Sequence, residues 1–305
     1  MIDAIVIGGA FAGLSAALQL ARASRSVLVV DAGKPRNRTS PAAHGVPGWD
    51  GVPPADILDR FRADLAGYPT VGILRDRVTG ISGRIDAFQV TLDQSDQVEA
   101  RRIILAHGVR DILPDLPGLS DAWGRTVLHC PYCHGYEVRN RPLAVLATGP
   151  MVAHQAHMLR ADWSDDVTLL CNGVEGLDKA ALQGAGIRVE DRIPQRVGGA
   201  DTLKIAFDEG PDMDVAALFV APRVDLSDTP SDALGVGLAD GPMGPYVRTG
   251  PMQQTDVPGV FAAGDLATPM WNVNFAVGDG ARAGTGCHQS LLFPDFIPAL
   301  EKEAA

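Results

Sequence analysis

Ala4-Ile5-Val6-Ile7-Gly8-Gly9-Ala10-Phe11-Ala12-Gly13 stands almost at the start of the chain and decides how the rest is read. Four apolar residues suit a buried parallel strand, and the glycine-rich run that follows suits a strand-to-helix turn of the form Gly-x-Gly-x-x-Gly, with Ala10 at the middle glycine. Gly8 permits the tight turn, Ala10 is small enough for a pyrophosphate to approach the backbone, and Gly13 lets helix and strand pack closely. A helix from about Leu14 to Ala23 and a strand from Ser26 to Val30 complete a βαβ unit. Asp31 closes the second strand, where a carboxylate accepts hydrogen bonds from ribose hydroxyls. The turn, including Phe11 and Ala12, is thus a candidate for holding a dinucleotide at a helix N-terminus, where free N–H groups and the positive dipole end converge.

Working outward, residues 34–54 shift to Pro, Gly, Asn and Arg, a composition that suits an irregular loop laid over a ligand. A strand is expected over residues 100–105, and Pro114-Asp115-Leu116-Pro117-Gly118 reads as a linker. A second βαβ pattern starts at Pro142-Leu143-Ala144-Val145-Leu146, passes a helix near Ala153 to Arg160 and reaches a strand at Val167 to Leu170. The expected fold class is therefore α/β with two Rossmann-like domains. The first domain is discontinuous, 1–117 and 244–305, and a smaller domain, 118–243, is inserted into it.

His129-Cys130-Pro131-Tyr132-Cys133-His134-Gly135-Tyr136-Glu137 carries the densest chemistry. Two cysteines three positions apart at the start of a helical turn can close a small disulfide, and a helix N-terminus favours a thiolate. Histidines on both sides place imidazoles, with an ordinary pKa near ~6.5, beside thiols that must lose protons to be oxidised. A zinc knuckle would need a second ligand pair of similar spacing, whereas Cys171 and Cys287 are isolated and read as small core residues.

The 305 residues carry a net charge of -11 with no run of Lys or Arg, which argues against nucleic acid and anionic membranes as partners. No apolar stretch is long enough to span a bilayer, and the N-terminus enters at once into a strand, so a soluble, unprocessed, cytoplasmic protein is expected. Four cysteines in a chain this long are too sparse for a secreted disulfide scaffold.

Thr255-Asp256-Val257-Pro258-Gly259-Val260-Phe261-Ala262-Ala263-Gly264-Asp265 resembles the second FAD motif of the pyridine nucleotide-disulfide oxidoreductases, in which the closing aspartate holds the ribityl chain. Taken with the N-terminal turn and the intervening Cys-x-x-Cys, it makes the sequence similar to low-molecular-weight thioredoxin reductases over nearly its whole length. The resemblance implies FAD as cofactor, a homodimer, and an inserted NADPH-type domain bearing the cysteines. It implies that Cys133 lies against the flavin and that Cys130 exchanges with substrate. It further implies FAD contacts at Gly8, Ala10, Phe11, Ala12, Gly13, Asp31, Ala32, Arg38, Val78, Ala106, Gly108, Gly264 and Asp265, and at Ala276, whose N–H approaches the flavin pyrimidine. His107 stands where relatives have Thr in an Ala-Thr-Gly turn, and so is expected to line the cofactor pocket.

The departures matter as much. The second nucleotide turn reads Ala147-Thr148-Gly149-Pro150-Met151-Val152, with its first glycine replaced and bulk at its last small position. Where the family has a His-Arg-Arg cluster for the 2′-phosphate, this chain has Cys171-Asn172-Gly173-Val174-Glu175-Gly176-Leu177, and Glu175 with Asp178 would repel a dianion. After the second cysteine the family has Asp and this chain has His134. The motif Cys-Pro-Tyr-Cys-His-Gly-Tyr-Glu looks like that of thioredoxin-reductase-like dithiol oxidases, which close disulfides in small sulfur metabolites. The expected function is an FAD-dependent dithiol oxidase in which Cys130, Cys133 and His134 act on a small-molecule dithiol or a protein disulfide. The alternatives are a disulfide reductase fed by NADPH or ferredoxin, and a redox-sensing flavoprotein.

Overall fold

The computed structural model describes residues 1–94, 96–149, 152–199, 201–226, 229–293 and 299–301. It is a mixed α/β fold with two parallel-sheet, Rossmann-like cores. From the N-terminus the chain forms β1 (Ile2–Ile7), α1 (Phe11–Arg22), β2 (Val27–Val30), α2 (Pro54–Leu65), β3 (Val71–Leu74), β4 (Val78–Arg84), β5 (Ala87–Leu92) and β6 (Val98–Leu105). Strands β3, β2, β1 and β6 lie side by side in parallel, while β4 and β5 continue antiparallel from β6. The alternating interior and exterior residues of β5 mark a sheet with one wet face; the wholly buried second half of β6 marks one covered on both.

The middle of the chain follows with β7 (Arg110–Ile112), α3 (Leu119–Ala122), β8 (Val127–Leu128), α4 (Pro131–His134), β9 (Leu143–Leu146), α5 (Val152–Asp162), β10 (Val167–Leu170), α6 (Lys179–Gly184) and β11 (Arg188–Glu190). A meander of β12 (Pro194–Gly198), β13 (Leu203–Phe207) and β14 (Met213–Val215) leads to β15 (Ala217–Val220). Here the parallel sheet runs β11-β10-β9-β15-β8. Every residue of β9, β10 and β15 is buried, as four-residue apolar strands under helices must be. The chain returns through β16 (Arg223–Asp225), which pairs with β7, then α7 (Pro230–Leu234), β17 (Leu238–Gly241), β18 (Gly244–Val247), β19 (Val260–Ala262) and α8 (Val273–Leu292). Strand β19 adds in parallel to β6, so the last part of the chain completes the first sheet.

Two compact units result. One comprises Met1–Arg38, Ala55–Arg110 and Val224–Ala305; the other comprises Thr39–Pro54 and Asp111–Arg223. Both crossings fall earlier than the expected bounds at 117 and 244. Pro117 and Gly118, expected to end the first domain, are fastened into the second unit: Val197 N–H donates to the Pro117 carbonyl at 2.9 Å. A Cβ on Gly118, whose φ is +84°, would lie 1.9 Å from the Val197 carbonyl oxygen. On the return, Leu226, Val236 and Val247 share a core with β1 and β6, which assigns 224–243 to the first unit. Residues 39–54, which the expected bounds keep in the first domain, cluster with the cysteine-bearing unit. Helix α1 begins at Phe11, earlier than Leu14, because Ala10 leaves in extended conformation and the chain can turn into helix at once.

Small residues hold the split unit together. A Cβ on Gly280 of α8 would sit 2.1 Å from the Ala12 carbonyl oxygen, and one on Gly284 would sit 2.5 Å from that of Ala16. Ser15 Oγ donates to the Val277 carbonyl at 2.8 Å across the same seam. Arg102 of β6 is fully buried, yet its guanidinium is matched: Nε donates to Ser290 Oγ at 2.9 Å, and other nitrogens reach the Ser290 carbonyl and the Asp86 carboxylate. The charge is paired and hydrogen-bonded, the condition under which an arginine can be buried.

The seam gives a direct test. Gly280→Ala is expected to destabilise the first unit by about 1–3 kcal/mol through forced separation of α1 and α8. Gly278→Ala, on the same helix with nothing within 4 Å of the added atom, should be neutral or stabilise by up to ~1 kcal/mol. Urea unfolding of the two variants beside the parent distinguishes the outcomes.

Candidate active site and flavin cradle

The first unit brings three separated segments to one place. Gly8, at φ +113°, passes so close to β6 that a Cβ would lie 2.2 Å from the Ala106 carbonyl oxygen, and a Cβ on Gly13 would lie 1.8 Å from that of Gly8. Both glycines are therefore required by backbone contact. Ala10 precedes α1 with no side-chain cap, which leaves the first-turn N–H groups of Phe11, Ala12 and Gly13 directed outward along the helix axis. Gly264, at φ +82°, faces the same turn: a Cβ there would meet Ala12 Cβ at 2.9 Å and Ala276 Cβ at 3.8 Å. The two sequence motifs and the start of α8 are thus neighbours.

Asp31 is buried at the end of β2 and accepts from Gly33 N–H at 2.8 Å, with Arg62 and Arg75 each at 3.5 Å. A Cβ on Gly9 would lie 2.6 Å from Asp31 Cγ, so the second glycine of the pair is what admits this carboxylate. The Gly8-Gly9 doublet is the sequence signal for this contact. Ala32 and Arg38 are exposed, the latter donating to the Pro35 carbonyl at 3.3 Å. Arg36 rather than Arg38 reaches the second motif, pairing with Asp265 at 2.9 Å and lying 3.8 Å over the Trp271 ring. Val78 sits in the core at the start of β4, Ala106 is buried beneath Gly8, and Gly108 has φ +73° with open space around it.

In the second unit Cys130 and Cys133 form a disulfide, with Cα atoms 5.2 Å apart. Cys130 caps α4, and its Sγ accepts the Cys133 N–H at 3.2 Å, a contact that would equally favour a thiolate after reduction. Trp163 packs under the motif: it meets Tyr132 edge-on at 5.7 Å, and its ring leaves no room for a Cβ on Gly135. His129 is anchored, its ring Nδ1 lying 3.3 Å from the Val220 carbonyl and its own carbonyl accepting from Gln155 at 2.6 Å. Burial holds the His134 pKa below the ordinary imidazole range; the Glu137 carboxylate acts against this and His44 adds to it, both less strongly than burial. His134 is accordingly neutral near pH 7 and able to take a proton.

A cysteine pair at a helix start, in a chain whose flanking segments build one dinucleotide cradle, meets its counterpart among known proteins. Residues 2–280 match the pyridine nucleotide-disulphide oxidoreductase family. The chain belongs to that family. It is 36% identical to thioredoxin reductase tcpT of Claviceps purpurea, across 96% of this chain and 95% of that one. It is 31% identical to thioredoxin reductase sirT of Leptosphaeria maculans, across 97% and 96%. An oxidoreductase from Agrobacterium tumefaciens is similar in structure, with a TM-score of 0.91, 42% identity, and coverage of 96% and 99%.

Membership of the pyridine nucleotide-disulphide oxidoreductases makes this an enzyme of flavin-linked disulfide chemistry and implies a flavin. The residues present fit one. Gly8 and Gly13 leave the uncapped start of α1 clear, where a pyrophosphate would be received, and buried Asp31 at the end of β2 is where a ribose would be met.

The corresponding turn of the second unit, after β9, is built differently among the described residues. Ala147 is fully buried, and its carbonyl accepts from Asn172 Nδ2 at 3.2 Å, while Thr148 Oγ1 donates to the Ala221 carbonyl at 3.1 Å. Pro150 and Met151 lie outside the described residues. Val152 is buried at the start of α5, where a close pyrophosphate needs a small residue. Asp178, expected to repel a phosphate, caps α6 by accepting from Ala181 N–H at 2.9 Å. The nearby cations are engaged: Lys179 with Asp191 at 2.6 Å and Arg192 with Glu190 at 2.7 Å.

His107 follows Ala106 beneath the first glycine turn, and its Nε2 is buried with no hydrogen-bond partner among the described residues. Desolvation pushes its pKa down from 6.5 to about 4. The folded protein therefore binds fewer protons here than the unfolded chain as pH falls below 6.5, and stability drops until pH passes below 4. Over that window the loss is about 3 kcal/mol. His107→Thr should flatten this segment of the stability profile, as measured by urea unfolding at several pH values between about 7 and about 4.

Proposed function

We propose that this protein is a flavin-dependent dithiol oxidase acting on a small-molecule dithiol through Cys130 and Cys133. The observation that carries the reading is His134, an imidazole held neutral by burial, directly following the disulfide. Oxidising a dithiol requires removal of thiol protons, and a neutral imidazole removes protons where a carboxylic acid would supply them. The tied second nucleotide turn and the paired cations beyond β10 support the same direction of electron flow, since they weaken the case for a reduced dinucleotide as donor.

His134 accepts the proton of one substrate thiol, and the resulting thiolate attacks Cys130. Cys133 leaves as a thiolate, and the second substrate thiol displaces Cys130 to close the product disulfide. Cys130 is suited to the exchange because the Cys133 N–H stabilises charge on its sulfur. The FAD implied by the family would supply a two-electron acceptor in reach of dioxygen. Gly8, Ala10, Phe11, Ala12 and Gly13 would receive its diphosphate, Asp31 its ribose, and Gly264, Asp265 and Ala276 its flavin half.

A second reading is favoured by the names of the relatives: a disulfide reductase of thioredoxin reductase type, in which electrons run from NADPH to a protein disulfide. Oxygen uptake by the purified flavoprotein with a dithiol, set against NADPH oxidation with oxidised thioredoxin, separates the two. Oxidase activity should be present in the parent and absent in Cys130→Ser and Cys133→Ser. It should fall by about 10²-fold or more near neutral pH in His134→Ala. The parent rate should hold through neutrality and decline only below pH 6.5, as His134 takes up a proton. Rapid NADPH oxidation without dithiol-driven oxygen uptake would establish the reductase instead.

A further inference from the structure

We propose that His44 is a positioning residue of the redox site, forming with Glu137 a proton path that links His134 to solvent. The inference rests on the reading of His134 as the proton acceptor. Its basis is the juxtaposition of two segments far apart in sequence. His44 Nδ1 lies 3.6 Å from Glu137 Oε1, within the Cys-x-x-Cys motif, and 3.7 Å from Asp50 Oδ1 in its own loop. Both separations are a little longer than a direct hydrogen bond, and a small side-chain rotation closes either one.

Exposure rises along the group. The His44 side chain is 22% exposed, that of Glu137 40% and that of Asp50 71%. A proton taken up at mostly buried His134 therefore has titratable neighbours leading outward. The charged groups that act on His134 are Glu137 from its own motif and His44 from the loop. Those facing His44 are Glu137 and Asp50.

The loop presents His44 without depending on it. Asp50 Oδ1 accepts from Gly45 N–H at 2.7 Å, Ala43 N–H donates to the Val52 carbonyl at 2.9 Å, and Gly51 N–H donates back to the Ala43 carbonyl at 2.9 Å. Gly45, Gly48 and Gly51 take φ values of +69°, +81° and +77°, which make the tight turns possible. Ala43 and Val46 are buried. Substituting the imidazole leaves each of these backbone contacts in place.

The exchange is balanced. The Cys130–Cys133 bond breaks and takes two electrons, while a sulfur–sulfur bond forms in the substrate, which gives up two electrons and two thiol protons. One proton ends on Cys130. The other leaves through His134, His44 and Glu137, in order of rising exposure, while Cys133 remains a thiolate.

The experiment mixes oxidised, flavin-loaded full-length protein with dithiothreitol without oxygen and follows loss of the Cys130–Cys133 disulfide by alkylation, from about pH 6 to about pH 9. His44→Asn is expected to slow exchange about tenfold near neutral pH, to converge on the parent above about pH 8.5, where the reagent thiol ionises unaided, and to recover with added imidazole. Glu137→Gln should show the same convergence, which guards against a folding defect in either variant. A His44→Asn profile identical to the parent, or a uniform slowing at every pH without imidazole rescue, overturns the proposal. Failure of the parent itself to exchange with the dithiol overturns the dithiol reading on which it rests, and the two failures are told apart by which protein shows them.

Discussion

The close approach of α1 and α8 is the constraint on which the first unit depends. Gly280 and Gly284 touch the Ala12 and Ala16 carbonyls with no room for a side-chain atom. That contact draws the last helix of the chain onto the first, so that Gly264 and Ala276 arrive beside Ala12. A flavin cradle assembled from both ends of a polypeptide needs a seam that fixes their relative height to within a fraction of an ångström, and backbone against backbone is the stiffest way to obtain it. Arg102, buried and fully matched by Ser290 and Asp86, locks the neighbouring strand to the same helix.

The two units reuse one layout for different ends. In each, a central parallel strand is followed by a turn, a helix and a neighbouring strand. The first turn is built of glycines that permit close approach and leads to a buried carboxylate. The second has a buried alanine in place of its first glycine, a side-chain amide fastened to that alanine's carbonyl, and a cysteine where a ribose ligand would stand. Cys171 carries a thiol whose pKa burial pushes up to about 11, which keeps it protonated and inert near neutral pH. The same layout thus carries an open, glycine-lined turn in one unit and a turn tied by side-chain hydrogen bonds in the other.

At the thiol site, packing sets the chemistry. Trp163 under Gly135 and the anchored His129 hold the short helix that carries the disulfide. Burial shifts His134 toward its neutral form. The loop of residues 43–52, ordered by its own backbone hydrogen bonds, brings the His44 imidazole to 3.6 Å from the Glu137 carboxylate.

What the sequence by itself determined was local. Gly8, Gly13, Asp31, the cysteine pair and the Phe261 to Asp265 run could be read because tight turns, strand ends and short disulfides are decided by residues adjacent in the chain. Where contacts join distant segments, the sequence was silent or misleading. Pro117-Gly118 has the composition of a linker yet is clamped by Val197, and residues 39–54, adjacent in sequence to the first domain, cluster with the cysteine-bearing unit. Arg36 and Arg38 are equivalent on paper, and only the fold selects Arg36 for Asp265. The tertiary structure alone decided these matters, since burial, ion pairing and backbone clearance depend on which surfaces meet, and spacing along one strand of chain carries no record of that.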